Sequence, residues 1–147
     1  MIRLTNLADY AVVVMTAAAG AHGPRLSAGQ VAAMTGVPAP TVAKLLGTLA
    51  RAGLLTSTRG VSGGFGLARE PRDITVADIV EAVDGPIQLT QCLHGHPGDC
   101  ALEGTCGVRP HWPLINTSVR AALAAVTLAD IAATSTGGAR PAVALEA

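Results

Sequence analysis

A chain of 147 residues, half of them hydrophobic and only three aromatic, can bury one core of ordinary size, and its alanine, valine and leucine favour helices over sheet. No apolar run approaches the ~18 residues of a membrane span. The formal charge is zero, but residues 1–72 carry seven cations and two anions (+5) while 73–147 carry three cations and eight anions (−5), the footprint of a polyanion-binding half joined to a half with another task.

The opening MIRLTNLADYAVVVMTAAAG resembles a secretory leader in its apolarity, but Asp9 interrupts it and its apolar residues are periodic. It therefore reads as an amphipathic helix over 5–19, with Leu7, Ala11, Val14, Met15 and Ala18 on one stripe. The turn GAHGPRL ends it. Ser27, followed three residues later by Gln30, has the spacing of a capping box and starts a short second helix that stops at Gly36. Pro40 suits the first turn of a third helix, in which Val42, Leu45, Leu46 and Leu49 form the buried stripe. Thr41, Lys44, Thr48 and Arg51 occupy its opposite face. Two helices around a short glycine turn, the second polar and basic outside, make a helix-turn-helix.

After Gly53 the text LLTSTR reads as a strand, RGVSGG as a turn and FGLAR as the returning strand, so a hairpin follows directly on the third helix. Such a hairpin is the wing of a winged helix, with Arg59, Gly60 and Ser62 at its tip. A phosphate-cradling loop is excluded, because GxxxxGK[ST] is absent and no lysine lies nearby. Thr75 caps a fourth helix, with Asp78 in its first turn, Ile79, Val80 and Val83 on its apolar side and Gly85 as its stop.

The stretch 92–106, CLHGHPGDCALEGTC, holds every cysteine of the chain: Cys92, Cys100 and Cys106. Glycines and a proline make it a loop. An odd number of thiols argues against a disulfide framework, and the expected compartment is the cytoplasm, where thiols stay reduced. Soft thiolates on such a loop suit Zn²⁺, Cu(I) or an iron–sulfur cluster, though paired CxxC knuckles, usual for structural zinc, are missing. His94, His96 and His111 lie in or just beyond it. A long helix then starts near Trp112, with Trp112, Ile115, Val119, Leu123 and Val126 recurring every three to four residues as a stripe for a partner helix. VTLADIAA forms a short terminal helix, and a disordered tail is expected over 135–147. No Ser/His/Asp or paired-carboxylate constellation stands out, so an enzyme is not expected.

In their order, RLTNLADYA, VPAPTVAKLL, RGVSGGFGLAR, DITVADIVEAVDGPI, the triple-cysteine loop and VTLADI resemble the bacterial iron–sulfur winged-helix regulators that include IscR, NsrR, RirA and the SUF-operon regulator. CGVRPHWPLIN looks most like the SUF-regulator branch. The resemblance implies a mainly α fold: a winged helix-turn-helix with a small hairpin wing over 1–86, a cluster-binding loop over 87–111, and a dimerisation helix and short terminal helix over 112–134. It implies a homodimer that binds a double-stranded operator, with Thr41, Lys44, Thr48, Arg51, Arg59, Gly60 and Ser62 toward DNA. It also implies a cluster, 2Fe-2S or 4Fe-4S, on Cys92, Cys100 and Cys106. IscR-like members place a histidine where this chain has Arg109, which cannot ligate metal. NsrR-like members complete the partner subunit's cluster with a helix-1 aspartate, here Asp9. The fourth ligand is thus Asp9 of the partner, or one of His94, His96 and His111, or no protein group. The expected function is cluster-sensing repression of iron–sulfur assembly genes. The alternatives are a nitric-oxide or iron sensor of the same family, or a structural-zinc winged helix without sensing.

Overall fold

The first helix starts where a side chain replaces a missing backbone partner. The Thr5 hydroxyl accepts the Ala8 amide at 3.1 Å, and α1 runs Asn6–Gly20. The fold is seen in a computed structural model that describes residues 2–21, 25–93, 98 and 100–136. Ser27 and Gln30 cap reciprocally, at 2.8 and 3.2 Å, and start α2 (Ala28–Thr35). This helix ends on Gly36, whose φ of +75° carries no Cβ penalty. Helix α3 (Ala39–Arg51) has 13 residues, a length that is marginal alone in water. Tertiary burial decides it: Val42, Leu45, Leu46 and Leu49 are all inside, each stabilising by about 1.5–3 kcal/mol.

Strands β1 (Leu55–Thr58) and β2 (Gly64–Leu67) pair antiparallel from Leu55↔Leu67 to Thr58↔Gly64. Both are shorter than the sequence text predicts. Leu26 adds a third rung by exchanging two backbone bonds with Phe65, at 2.9 and 2.8 Å, so the wing is anchored to the residue just before the α2 cap. Thr75 and Asp78 form the second capping box and start α4 (Val76–Asp84). Helices α5 (Trp112–Ala124) and α6 (Leu128–Thr136) complete the order, α6 opening with a reciprocal Thr127–Asp130 cap.

The buried stripe of α1 is Ala8, Ala11, Val14 and Met15, with Leu7 and Ala18 only half covered. Helix α1 packs against α2, α3, α4 and α6, which makes it the central helix. The chain returns to this core after the cysteine segment. Val76 donates to the Val126 carbonyl at 2.9 Å and Leu128 to that of Ile74 at 2.8 Å, and Ile74 and Leu128 are both fully buried. The core thus draws on residues either side of 87–111. Helix α6 extends through Thr136, into the stretch expected to be tail, and 137–147 lie outside the described residues.

Helix α5 contributes no buried residue. It is held to α4 by polar groups: Arg120 Nε and Nη2 donate to the two Glu81 oxygens, each at 2.9 Å. The Arg120 hydrogen bond, with a bond from the Ile87 amide and the Arg120 charge, holds the Glu81 carboxyl below its ordinary range, against burial and the Asp78 charge. A carboxyl lowered on folding stabilises above its unfolded pKa, and that contribution disappears as pH falls through the folded value. Arg120→Gln should therefore lower the melting temperature near pH 7, and the difference from wild type should shrink below about pH 4. Thermal melts across that range check this; a pH-independent difference would assign the effect to packing.

Candidate cysteine cavity and nucleic-acid interface

The chain leaves α4 through Gly85 and is caught at once. Asn116 of α5 accepts from the Leu89 amide at 3.0 Å and donates to the Ile87 carbonyl at 2.8 Å. A 3₁₀ turn, Gln91–Leu93, then presents Cys92, whose sulfur lies 3.1 Å from the Thr90 hydroxyl. Further on, the Glu103 amide donates to the Cys100 carbonyl (3.0 Å) and the Arg109 amide to the Cys106 carbonyl (3.3 Å). Each of these turns sets a charged residue three positions after a cysteine. A second 3₁₀ turn, Arg109–His111, leads into α5.

These turns bring Cys92, Cys100 and Cys106 to the wall of one cavity of about 350 Å³, shared with Leu89, Glu103, Arg109 and Trp112. All three thiols are free and half-buried. Arg109 Nη2 lies 2.9 Å from Glu103 Oε1, and Glu103 Oε2 accepts the Gly98 amide at 2.7 Å. Neither Asp9 nor His111 lines the cavity; both are exposed, on α1 and on the turn before α5. His94 and His96 lie outside the described residues. Among the described residues, no three His, Cys, Asp or Glu side chains form a group able to hold a metal ion. Glu103, Asn116 and Trp112 escape a reading by motif. The available signal is the repeated spacing, Cys100-x2-Glu103 and Cys106-x2-Arg109.

On the basic half, Lys44 and Arg51 project from α3 into solvent, with Thr41 and Thr48 half-buried between them. Arg51 Nη2 donates to Thr48 Oγ1 at 3.1 Å. Arg59, Gly60 and Ser62 are exposed at the wing tip, and Val61 between them is fully so. An apolar residue bare among glycines is a wing feature that charge counting misses. The tip closes through the Gly63 amide and Gly60 carbonyl at 2.9 Å.

The family described as "Rrf2: Iron-dependent Transcriptional regulator" matches residues 4–134. A relative from Mycobacterium tuberculosis (strain ATCC 25618 / H37Rv), named as an HTH-type transcriptional regulator, is 33% identical over 141 residues, 95% of this chain and 84% of the relative. CymR, titled the global cysteine regulator of B. subtilis, superposes with a TM-score of 0.70 at 28% identity, covering 90% of this chain and 98% of CymR. T. potens IscR superposes with a TM-score of 0.69 at 28% identity, covering 95% of this chain and 93% of IscR.

A Cβ at Gly63 would sit 2.3 Å from the Thr58 carbonyl oxygen and 2.8 Å from the Gly60 oxygen, both backbone atoms that cannot step aside. Gly63→Ala should therefore distort the wing while leaving the helical core intact. Amide hydrogen exchange checks this: faster exchange at Phe65 and Leu26 with unchanged protection in α1 and α3 is the expected result.

Proposed function

The chain belongs to the Rrf2 family of transcriptional regulators, and from that membership we propose that it is a cytoplasmic homodimeric repressor whose DNA binding is set by an iron–sulfur cluster on Cys92, Cys100 and Cys106. It has the winged-helix fold of its structural neighbours, and it is a regulator rather than an enzyme. Kinship with both a cysteine regulator and IscR leaves the signal to this chain's own residues. One observation carries the reading: three cysteines spread over fifteen positions line a single cavity. That donor set fits an iron–sulfur cluster, which divides its thiolates among several irons instead of gathering them on one ion. The SUF-type target genes rest on the text CGVRPHWPLIN.

When bound, the cluster would supply an iron- and redox-sensitive cross-link between the two arms of the loop. The chain's own residues do the rest. Trp112 makes the cavity wall the first residue of α5. Arg120 ties α5 to Glu81 of α4, and α4 packs on the recognition helix α3. A rearranged cavity therefore has a continuous path of packed and hydrogen-bonded groups to α3. A coupling of about 1.4 kcal/mol along it changes DNA affinity tenfold. The dimer is formed through α5, where Leu114 and Ile115 are 70% and 40% exposed among the described residues.

On DNA, α3 with Lys44, Thr41, Thr48 and Arg51 takes the major groove, and Arg59, Gly60 and Ser62 take the adjacent groove and backbone. Glycines there let the backbone come close, and Arg59 reads groove width or a base edge.

Protein purified without oxygen should be brown and contain iron and sulfide, and Cys92→Ala, Cys100→Ala or Cys106→Ala should each greatly weaken cluster retention while leaving a folded dimer. Visible absorption, metal analysis and gel filtration check this. A colourless wild type containing zinc would sink the sensing role, and a triple variant that stays brown would remove the cysteines from it.

A salt titration of binding to operator and scrambled DNA tests the interface. Arg59→Ala should lower operator affinity by about 1–3 kcal/mol and narrow the gap between the two DNAs. Lys44→Ala should weaken both evenly and reduce the salt slope by about one unit. Wild-type operator affinity in Arg59→Ala would overturn the wing assignment.

A further inference from the structure

We propose that Glu103 is the fourth protein ligand of the cluster, supplied by the same chain as the three cysteines; the inference rests on the iron–sulfur reading above. Glu103 lines the same cavity as Cys92, Cys100 and Cys106, and its side chain is only 24% exposed. Its amide donates to the Cys100 carbonyl at 3.0 Å. The four side chains line one cavity without gathering around a single ion, so the carboxylate and the thiolates would each take a different position on a cluster of several irons.

The carboxylate is held from two directions. Gly98, two residues before Cys100, donates its amide to Oε2 at 2.7 Å, and Arg109, three residues after Cys106, reaches Oε1 at 2.9 Å. Gly98 does this from a φ of +98°, a conformation that favours glycine. Glu103 thus draws together the two arms of the loop that carry Cys100 and Cys106. These bonds orient the group without consuming it. An ionised carboxylate has about four lone-pair sites, and one contact per oxygen leaves each oxygen another. Ligating carboxylates are themselves usually hydrogen-bonded in this manner.

Charge agrees. Three thiolates and a carboxylate place four negative ligands in one cavity, and the Arg109 guanidinium offsets one of them. An arginine at 109 cannot ligate, but it can position a residue that does. Asp9 and His111 are exposed and line no part of the cavity, so either would have to be brought to it from elsewhere.

The test uses the wild-type chain and the variants E103Q, E103C and D9A, each reconstituted without oxygen using iron and sulfide. Visible absorption and circular dichroism, iron per chain and the rate of cluster loss to an iron chelator are measured, with far-ultraviolet dichroism as the check on folding. E103Q should lose the cluster about ten-fold faster or more, with an altered visible spectrum. D9A should behave as wild type. E103C separates ligation from loop scaffolding, because it restores a ligand without the bonds to Arg109 and Gly98. It should retain the cluster with stronger sulfur-to-iron absorption, whereas a purely structural Glu103 would leave it as labile as E103Q. E103Q with the wild-type spectrum and lifetime overturns the inference, as does an E103C as labile as E103Q. A wild-type chain that takes up no iron and sulfide overturns the iron–sulfur reading itself, and this inference with it, before any variant is compared.

Discussion

The polar clamp between α4 and α5 is the constraint on which the cysteine cavity depends. Arg120 grips both Glu81 oxygens, and Asn116, one helical turn earlier, holds the backbone of Ile87 and Leu89. An exposed ion pair contributes little energy by itself. Its value here is geometric. Helix α5 has no buried residue to fix it, so these side chains set where the loop leaves α4 and where it rejoins the chain at Trp112. Both ends of the loop being placed, Cys92 can face Cys100 and Cys106 across one cavity.

The two halves of opposite charge are joined through the core, where α1 packs against α4 and α6. In the basic half, α3 is fastened by four buried side chains and the wing by the Leu26–Phe65 pairing. Helix α5, with no buried residue, is held to α4 by hydrogen bonds and an ion pair, which water and salt can compete for. Helix α4 links core and clamp, with Ile79 and Val80 in the one and Glu81 in the other.

Much of the fold was legible in the sequence. The Ser27–Gln30 capping box forms as its spacing predicts, Thr75 caps α4 as expected with Asp78 completing a second box, and the α3 stripe is buried residue for residue. The hairpin stands where the glycines around Arg59 place it, although its strands are shorter, and Leu26 pairs with Phe65 on the other edge of β2. On α1 the first buried position is Ala8, with Leu7 only half covered. The cysteines were legible as a set, and the cavity residues they share, Glu103, Arg109 and Trp112, were not.

The sequence by itself determined what short range decides: caps, helix faces, the wing turn and the division of charge. Each depends on residues within a turn or two of each other, where spacing alone dictates which groups can meet. Only the tertiary structure decided that Leu128 returns to seal the core beside Ile74, that Asn116 and Arg120 hold the loop, and that Glu103 and Arg109 join the thiols at one wall. Those meetings close loops of tens of residues or depend on how successive tight turns stack. No local propensity encodes them, because the cost of closing each loop is met by contacts that exist only once the whole core has assembled.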